Sequence, residues 1–392
     1  MSERAYLDWN ATAPLRAEAR AAMLSALDAA GNPSSVHGEG RAARALIEQA
    51  REHVAALAGA RPEHVVFTSG GTEANNLALT PDIQIGADRA PRDRLLISAI
   101  EHPSVLAGGR FPAGAIELLP VTDEGIVDLG ALRAALARRD RPGGRPLVSV
   151  MLANNETGIV QPISEAAAIV HEAGGLLHVD AVQAAGRIAL DIKALGVDLL
   201  TLSAHKLGGP KGAGALLRAH DSLHFPMPLL RGGGQERGLR AGTENVAAIA
   251  GFGAAAKAAR RDAAAEAAAM LALRHALERG LKAASPEVTI FGESAARLPN
   301  TTLFALTGIK AETALIGFDL AGIAVSSGSA CSSGKVQASH VLSAMRVAPA
   351  LAGGAIRVSL GPSTTPSEVE GFLETWKKLS ESLGKERRGI AA

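Results

Sequence analysis

The segment "DLLTLSAHKLGGPKG" at 198–212 joins a short apolar run, three polar side chains and a glycine-rich turn. Leu199, Leu200 and Leu202 show no strict alternation and read as a strand buried on both faces, as strands of parallel sheets do. Ser203, His205 and Lys206 then crowd its carboxyl end, which is where open α/β sheets bind their ligands. Lysine is scarce here: ten stand against thirty arginines, and none precedes Lys193. An amine set against an apolar strand has a depressed pKa and serves as a nucleophile. The competing reading, a surface lysine in a turn, describes Lys211 better.

Working outward, "HVVFTSGG", "RLLISAI", "PLVSVML", "GLLHVDAV" and "GALLRA" read as further buried strands, with helical segments between several of them. "RAARALIEQAREHVAALAG" places Leu46, Ala50, Val54 and Leu57 at helical spacing and stops at Gly59. This alternation predicts a largely parallel sheet covered on both faces. Beyond about Asn245 a long Ala-rich helical stretch runs to about Leu281. Shorter strands ("EVTIFG", "NTTLFAL", "IRVSL") and helices at 311–320 and 366–383 follow, a pattern that suits a smaller α+β domain.

The other strand ends are polar as well. Thr68-Ser69-Gly70-Gly71-Thr72 opens a helix, and its amides, dipole and Thr72 hydroxyl suit a phosphate; a glycine turn with a helix cap is an equal alternative. His102, fixed before Pro103, suits ring stacking or proton transfer, or a structural role. Asn154 and Asn155 end another strand. Asp180, with Gln183 three residues on, ends a buried strand; a carboxylate there needs a cation, a donor or a capping role. Singly these signals are weak. Together, a phosphate cradle, an acid for a ring nitrogen and a Schiff-base lysine make up a pyridoxal phosphate site.

Composition sets the bounds. At 392 residues, two domains are the natural expectation. A net charge of +1, with no long run of one sign, argues against nucleic acid, whose binders normally show a basic face. The N-terminus lacks a signal-like apolar stretch, and "VAAIAGFGAAAKAA" is too short for a membrane span. A single cysteine excludes an internal disulfide and suits a reducing, cytoplasmic setting. "HDSLH" at 220–224 lacks the glutamate of a zinc helix and meets Pro226, so no metal site is expected there.

The chain resembles the cysteine desulfurases of the NifS/IscS group, fold-type I pyridoxal phosphate enzymes of the class V aminotransferase superfamily. The matching segments include "YLDWNATAP", "GNPSSVHGEGR", "TSGGTEANNLAL", "EHPSVL", "ANNETGIVQPI", "HVDAVQAAG", "SAHKLGGPKGAGAL", "GGGQERGLRAGTEN", "SSGSACSSG" and "IRVSLG", in order from residue 6 to about 361. The resemblance implies a large α/β domain at 15–255 with a mainly parallel seven-stranded sheet sandwiched by helices. It also implies a small α+β domain made of 1–14 and 256–392. Lys206 would hold the cofactor covalently, Asp180 would pair with the ring nitrogen, and Gln183 with the ring hydroxyl. His102 would stack on the ring and move protons, and Asn155 would sit near ring and substrate. Gly71, Thr72, Ser203 and His205 would hold the phosphate, with Thr243 from the opposite subunit of a homodimer. Arg357 would clamp the substrate carboxylate. Trp9 and Ala13 stand where the family usually has Asn and Thr, and the approach to Arg357 is unusually rich in Ala and Gly.

The lone thiol, Cys331, lies in "SSGSACSSGKVQ" at 326–337, where seven of twelve residues are Ser or Gly. By the resemblance it attacks the sulfur of L-cysteine, leaves alanine, and carries the sulfur to an acceptor protein such as an iron–sulfur scaffold. No intrinsic metal is implied; Cys331 would at most be a transient iron–sulfur ligand. Six residues on either side span up to ~20 Å when extended, enough for a swinging thiol. Two readings of other classes compete. In a selenocysteine lyase or aminotransferase Cys331 would be dispensable, and a non-catalytic scaffold would not need the full cofactor set.

Overall fold

The structure, a computed structural model, describes residues 4–138, 145–328 and 339–390. Seven strands form the main sheet: β1 (Val65–Thr68), β2 (Arg94–Ser98), β3 (Ile116–Leu119), β4 (Pro146–Ser149), β5 (Leu176–Asp180), β6 (Leu199–Ser203) and β7 (Gly214–Arg218). Their order is β1-β7-β6-β5-β4-β2-β3, and only β7 runs against its neighbours. All but β2 and the edge strand β3 are buried throughout. The twofold alternation of a strand sorts their side chains into two cores. Val65 and Phe67 join helices α1 (Ala17–Asp28), α2 (Gly38–Leu57) and the long α5 (Val246–Ala284), while Val66 faces helix α3 (Gly71–Ala78). Helix α4 (Ile163–Glu172) completes the first face through Ala166 and Ile169.

Helix α5 (Val246–Ala284) is 39 residues long and starts on Asn245, whose side chain accepts from Ala248 N. Its first half packs on α1 and α2; its second half packs on helix α8 (Pro366–Ile390). The 255/256 division expected from the resemblance falls inside it. A second, wholly antiparallel sheet comprises β8 (Thr289–Ile290), β9 (Thr301–Ala305), β10 (Ser326–Ser327) and β11 (Ile356–Ser359), ordered β8-β9-β11-β10. Its core gathers several of the scarce aromatics. Phe304 meets Trp376 edge-on at 5.0 Å, and Phe318 stacks on Phe372 at 4.7 Å. Helix α6 (Ala311–Leu320) brings Phe318 there, and the short helix α7 (His340–Ala344) follows the segment that carries Cys331.

One buried ion pair ties the main sheet to the turn before α5. Arg51 of α2 donates to both oxygens of Glu236 at 2.7 Å, Phe67 N donates to the same carboxylate at 2.8 Å, and the guanidinium lies 4.8 Å over the Phe67 ring. Glu236 and Arg237 take φ values of 45° and 58°, a left-handed turn that non-glycine residues adopt only when held. Among the described residues, no helix is long and apolar enough to cross a membrane. Among the same residues, no cluster of three His, Cys, Asp or Glu could hold a metal.

Candidate active site

Asp180 ends β5 opposite Thr201 of β6, two residues before β6 ends at Ser203, and a single 3-10 turn, Ala204–Lys206, then presents Lys206. The Lys206 Nζ donates to the carbonyls of Asn10 at 2.6 Å and Ala11 at 2.9 Å. Burial is the main cause that lowers its pKa to about 7; Arg357 and Arg187 add to it, while Asp8 and Asp180 oppose. Near neutral pH the amine is therefore about half deprotonated, as a nucleophile requires.

Asp180 is buried and accepts from Val182 N and from Asn75 Nδ2, both at 2.9 Å. The same Asn75 nitrogen reaches Ser104 Oγ at 2.9 Å, and that hydroxyl lies 2.7 Å from His102 Nδ1. A polar chain thus joins His102 to Asp180 through α3. The His102 ring is exposed on one side yet surrounded on the other, and burial leads in lowering its pKa. Asp180 opposes the shift, and Lys206 and His340 add to it. The ring is neutral at pH 7, and with Nδ1 engaged, Nε2 is the nitrogen that a ligand would meet.

The phosphate candidates surround the start of α3. A Cβ on Gly71 would lie 3.2 Å from Val182 Cγ2 and 3.4 Å from Ser203 Cβ, so glycine lets this turn close onto both strand ends. Thr72 is exposed at the helix N-terminus. His205 pairs Nδ1 with Thr12 Oγ1 at 3.2 Å, and burial first, then Lys206 and Lys211, lowers its pKa to about 4. Its neutral ring keeps Nε2 for an anion. Thr243 is exposed in the loop before α5.

Gln183 and Arg357 are more engaged than the sequence suggests. Gln183 Nε2 donates to Asn10 O at 3.1 Å, and its Oε1 accepts from Arg187, a fully buried cation whose pKa burial and Arg357 lower to about 9. Arg357 donates to Asn155 O at 3.0 Å and to Asp8 Oδ1 at 2.8 Å, while its buried Nε has no partner among the described residues. A ring hydroxyl must share Gln183 with protein groups, and a substrate carboxylate must share Arg357 or take the place of Asp8. Asn154 proves structural: its Oδ1 accepts from the amides of Glu156 and Thr157 and so shapes the turn that presents Asn155. Cys331 lies outside the described residues.

Several residues here escaped sequence reasoning: Asp8, Asn10, Asn75, Glu101, Ser104, Glu156, Arg187 and His340. Glu101 is fully buried; one oxygen accepts from Met151 N and the other has no partner among the described residues. Burial first and then Asp180 push its carboxyl well above the ordinary range. His340 reaches Glu101 O at 2.9 Å. Burial raises the Glu156 carboxyl to about 7, although Ser339 and Arg357 pull it down.

The donor set fits pyridoxal phosphate: an amine of lowered pKa, a buried carboxylate, a neutral imidazole and a helix N-terminus with hydroxyls meet at adjoining strand ends. Comparison with known proteins agrees. The aminotransferase class-V model matches residues 5–372. A cysteine desulfurase of Cereibacter sphaeroides is 43% identical over 97% of both chains. The cysteine desulfurase IscS of Dictyoglomus turgidum is 41% identical over 98% of this chain and 96% of its own. The crystal structure of a NifS-like protein from Rickettsia africae superposes with a TM-score of 0.85 at 37% identity, covering 97% of this chain and all of that one. The chain belongs to the aminotransferase class-V family, among its pyridoxal phosphate-dependent cysteine desulfurases of the NifS/IscS group.

Proposed function

We propose that this protein moves the sulfur of L-cysteine onto Cys331 and releases L-alanine. The substrate's Cβ–S bond breaks, an S–S bond forms on Cys331, and Cβ gains a proton, so no outside oxidant is needed. The observation that carries this reading is the Lys206 amine, half-buried after β6, bonded to the carbonyls of Asn10 and Ala11 and lowered in pKa to about 7. Bound pyridoxal phosphate supplies an electron sink. Asp180, held by Asn75 and Val182, pairs with the ring nitrogen. Lys206 takes the proton from the substrate Cα and returns it. His102 serves proton transfer through Nε2 and packs on the ring. Gly71, Thr72, Ser203 and His205 hold the phosphate, joined by Thr243 of a second copy. Gln183 orients the ring hydroxyl, and Arg357 with Asn155 orients the substrate carboxylate.

The unit at 15–255 carries the cofactor in this reading, and that of 1–14 with 256–392 carries Cys331. The protein works as a cytoplasmic homodimer and hands its sulfur to an acceptor such as an iron–sulfur scaffold protein. Cys331→Ser tests the core of this. The variant should bind cofactor and change colour with L-cysteine, yet release almost no sulfide, because a hydroxyl is no substitute for a thiolate. Sulfide release at the wild-type rate would overturn the reading.

A further inference from the structure

The ten residues 329–338, Cys331 among them, run between Gly328 and Ser339. Ser339 Oγ donates to Glu156 Oε2 at 2.5 Å. At the other end Gly328 leaves room for that oxygen, since a Cβ there would come within 3.3 Å of it. Each end is also tied down independently. Ser339 caps α7 by accepting from Leu342 N at 3.0 Å. Gly328 N donates to Ala355 O at 3.1 Å, just past the β10–β11 pairing of Ser327 with Ile356. Glu156 is itself fixed by the Asn154 side chain, and its neighbour Asn155 bonds Arg357 through the carbonyl. One turn therefore joins the substrate-carboxylate candidate to Ser339, the foot at the carboxyl end of the thiol segment.

We propose that Glu156 is a positioning residue for sulfur transfer, fastening Ser339, at the carboxyl end of the Cys331 segment, to the turn that bonds Arg357. In this proposal it acts through Ser339 rather than on the reacting atoms. The proposal rests on Cys331 being the sulfur acceptor. Burial leaves the carboxyl part protonated near neutral pH, so glutamine, which keeps an acceptor oxygen at the same reach, should serve nearly as well. Alanine should not.

The test uses the full-length holoenzyme with L-cysteine. It follows the cofactor colour change and, by mass, the sulfur added to Cys331 in the first turnover. Glu156→Ala and Ser339→Ala should each leave the colour change and its cysteine dependence within about twofold of wild type, while slowing sulfur arrival tenfold or more. Glu156→Gln should restore transfer, and the double alanine variant should be no slower than the slower single one, because one bridge is lost once. Ser339→Ala also keeps the question open to test should Glu156→Ala fail to fold. Transfer at wild-type speed in Ser339→Ala, or equal loss of colour change and transfer, would overturn the proposal. Wild type that takes no sulfur on Cys331 would overturn the reading beneath it, and the proposal with it.

Discussion

Replacing Lys206 with Met should change how the stability of the cofactor-free protein depends on pH. In the unfolded chain the amine keeps its proton up to its ordinary value of 10.5, whereas in the folded chain it loses it at about 7. Between those values the unfolded state binds more protons, so wild-type stability rises with pH through that window and is flat below about 7. At about 1.36 kcal/mol per pH unit the ceiling is ~5 kcal/mol over the full window. Two carbonyl bonds to Asn10 and Ala11 offset part of this, at about 1.5–3 kcal/mol for a charged donor, and the partly exposed site is screened further. A net effect of about 1–3 kcal/mol is expected. Urea unfolding of both proteins, stripped of cofactor, at several pH values from about 6 to about 9 reads it out. Below about pH 7 the gap should be constant; above that, wild type should gain on the Met variant by up to ~1 kcal/mol per unit. Parallel curves through the whole range would refute the depressed amine.

Asn75→Ala should leave Asp180 short of one donor and uncouple it from Ser104 and His102, costing about 1–3 kcal/mol in stability. Turnover should fall at least tenfold while bound cofactor remains, measured by absorbance and steady-state rate. Glu236→Ala strands a buried guanidinium and the Phe67 amide, and about 3–5 kcal/mol should be lost in urea titrations. A loss under about 1 kcal/mol would show the pair to be dispensable. Sedimentation should find a dimer at assay concentration. Mixing Thr243→Ala with Lys206→Ala protein should restore part of the activity, because shared sites would regain one intact copy; no recovery after subunit exchange would count against Thr243 reaching across.

Strands were legible where burial on both faces makes the sequence continuously apolar, as in β5 and β6. Strand β3 was missed because it lies at the sheet edge, where Glu117 and partly exposed Ile116 break the apolar signal. The reversed insertion of β7 between β1 and β6 is a long-range pairing that no local pattern records. In the site, residues at strand ends announced themselves, since a polar group ending an apolar run is conspicuous. Asn75 had a weaker signal: a lone amide on the apolar side of α3, among Ala74, Leu77 and Ala78. Asp8, Glu156 and His340 were illegible because their meaning is tertiary. Asp8 lies 349 positions from Arg357, and only the folded chain brings them into contact.

The Lys206 amine is held by main-chain carbonyls, and this has an evolutionary side. No single amino-acid exchange at positions 10 or 11 deletes those acceptors, because every residue carries one. Side-chain changes on this stretch are therefore tolerable so long as the path of the chain is kept. That path is pinned on both sides, by Trp9 N on Ser359 O, Asn10 N on Ser359 Oγ and Ala13 N on His205 O. A one-residue deletion or insertion between 9 and 13 would slip the acceptors out of register and leave the amine untethered. Selection on this stretch should thus tolerate changes of spelling and reject changes of length.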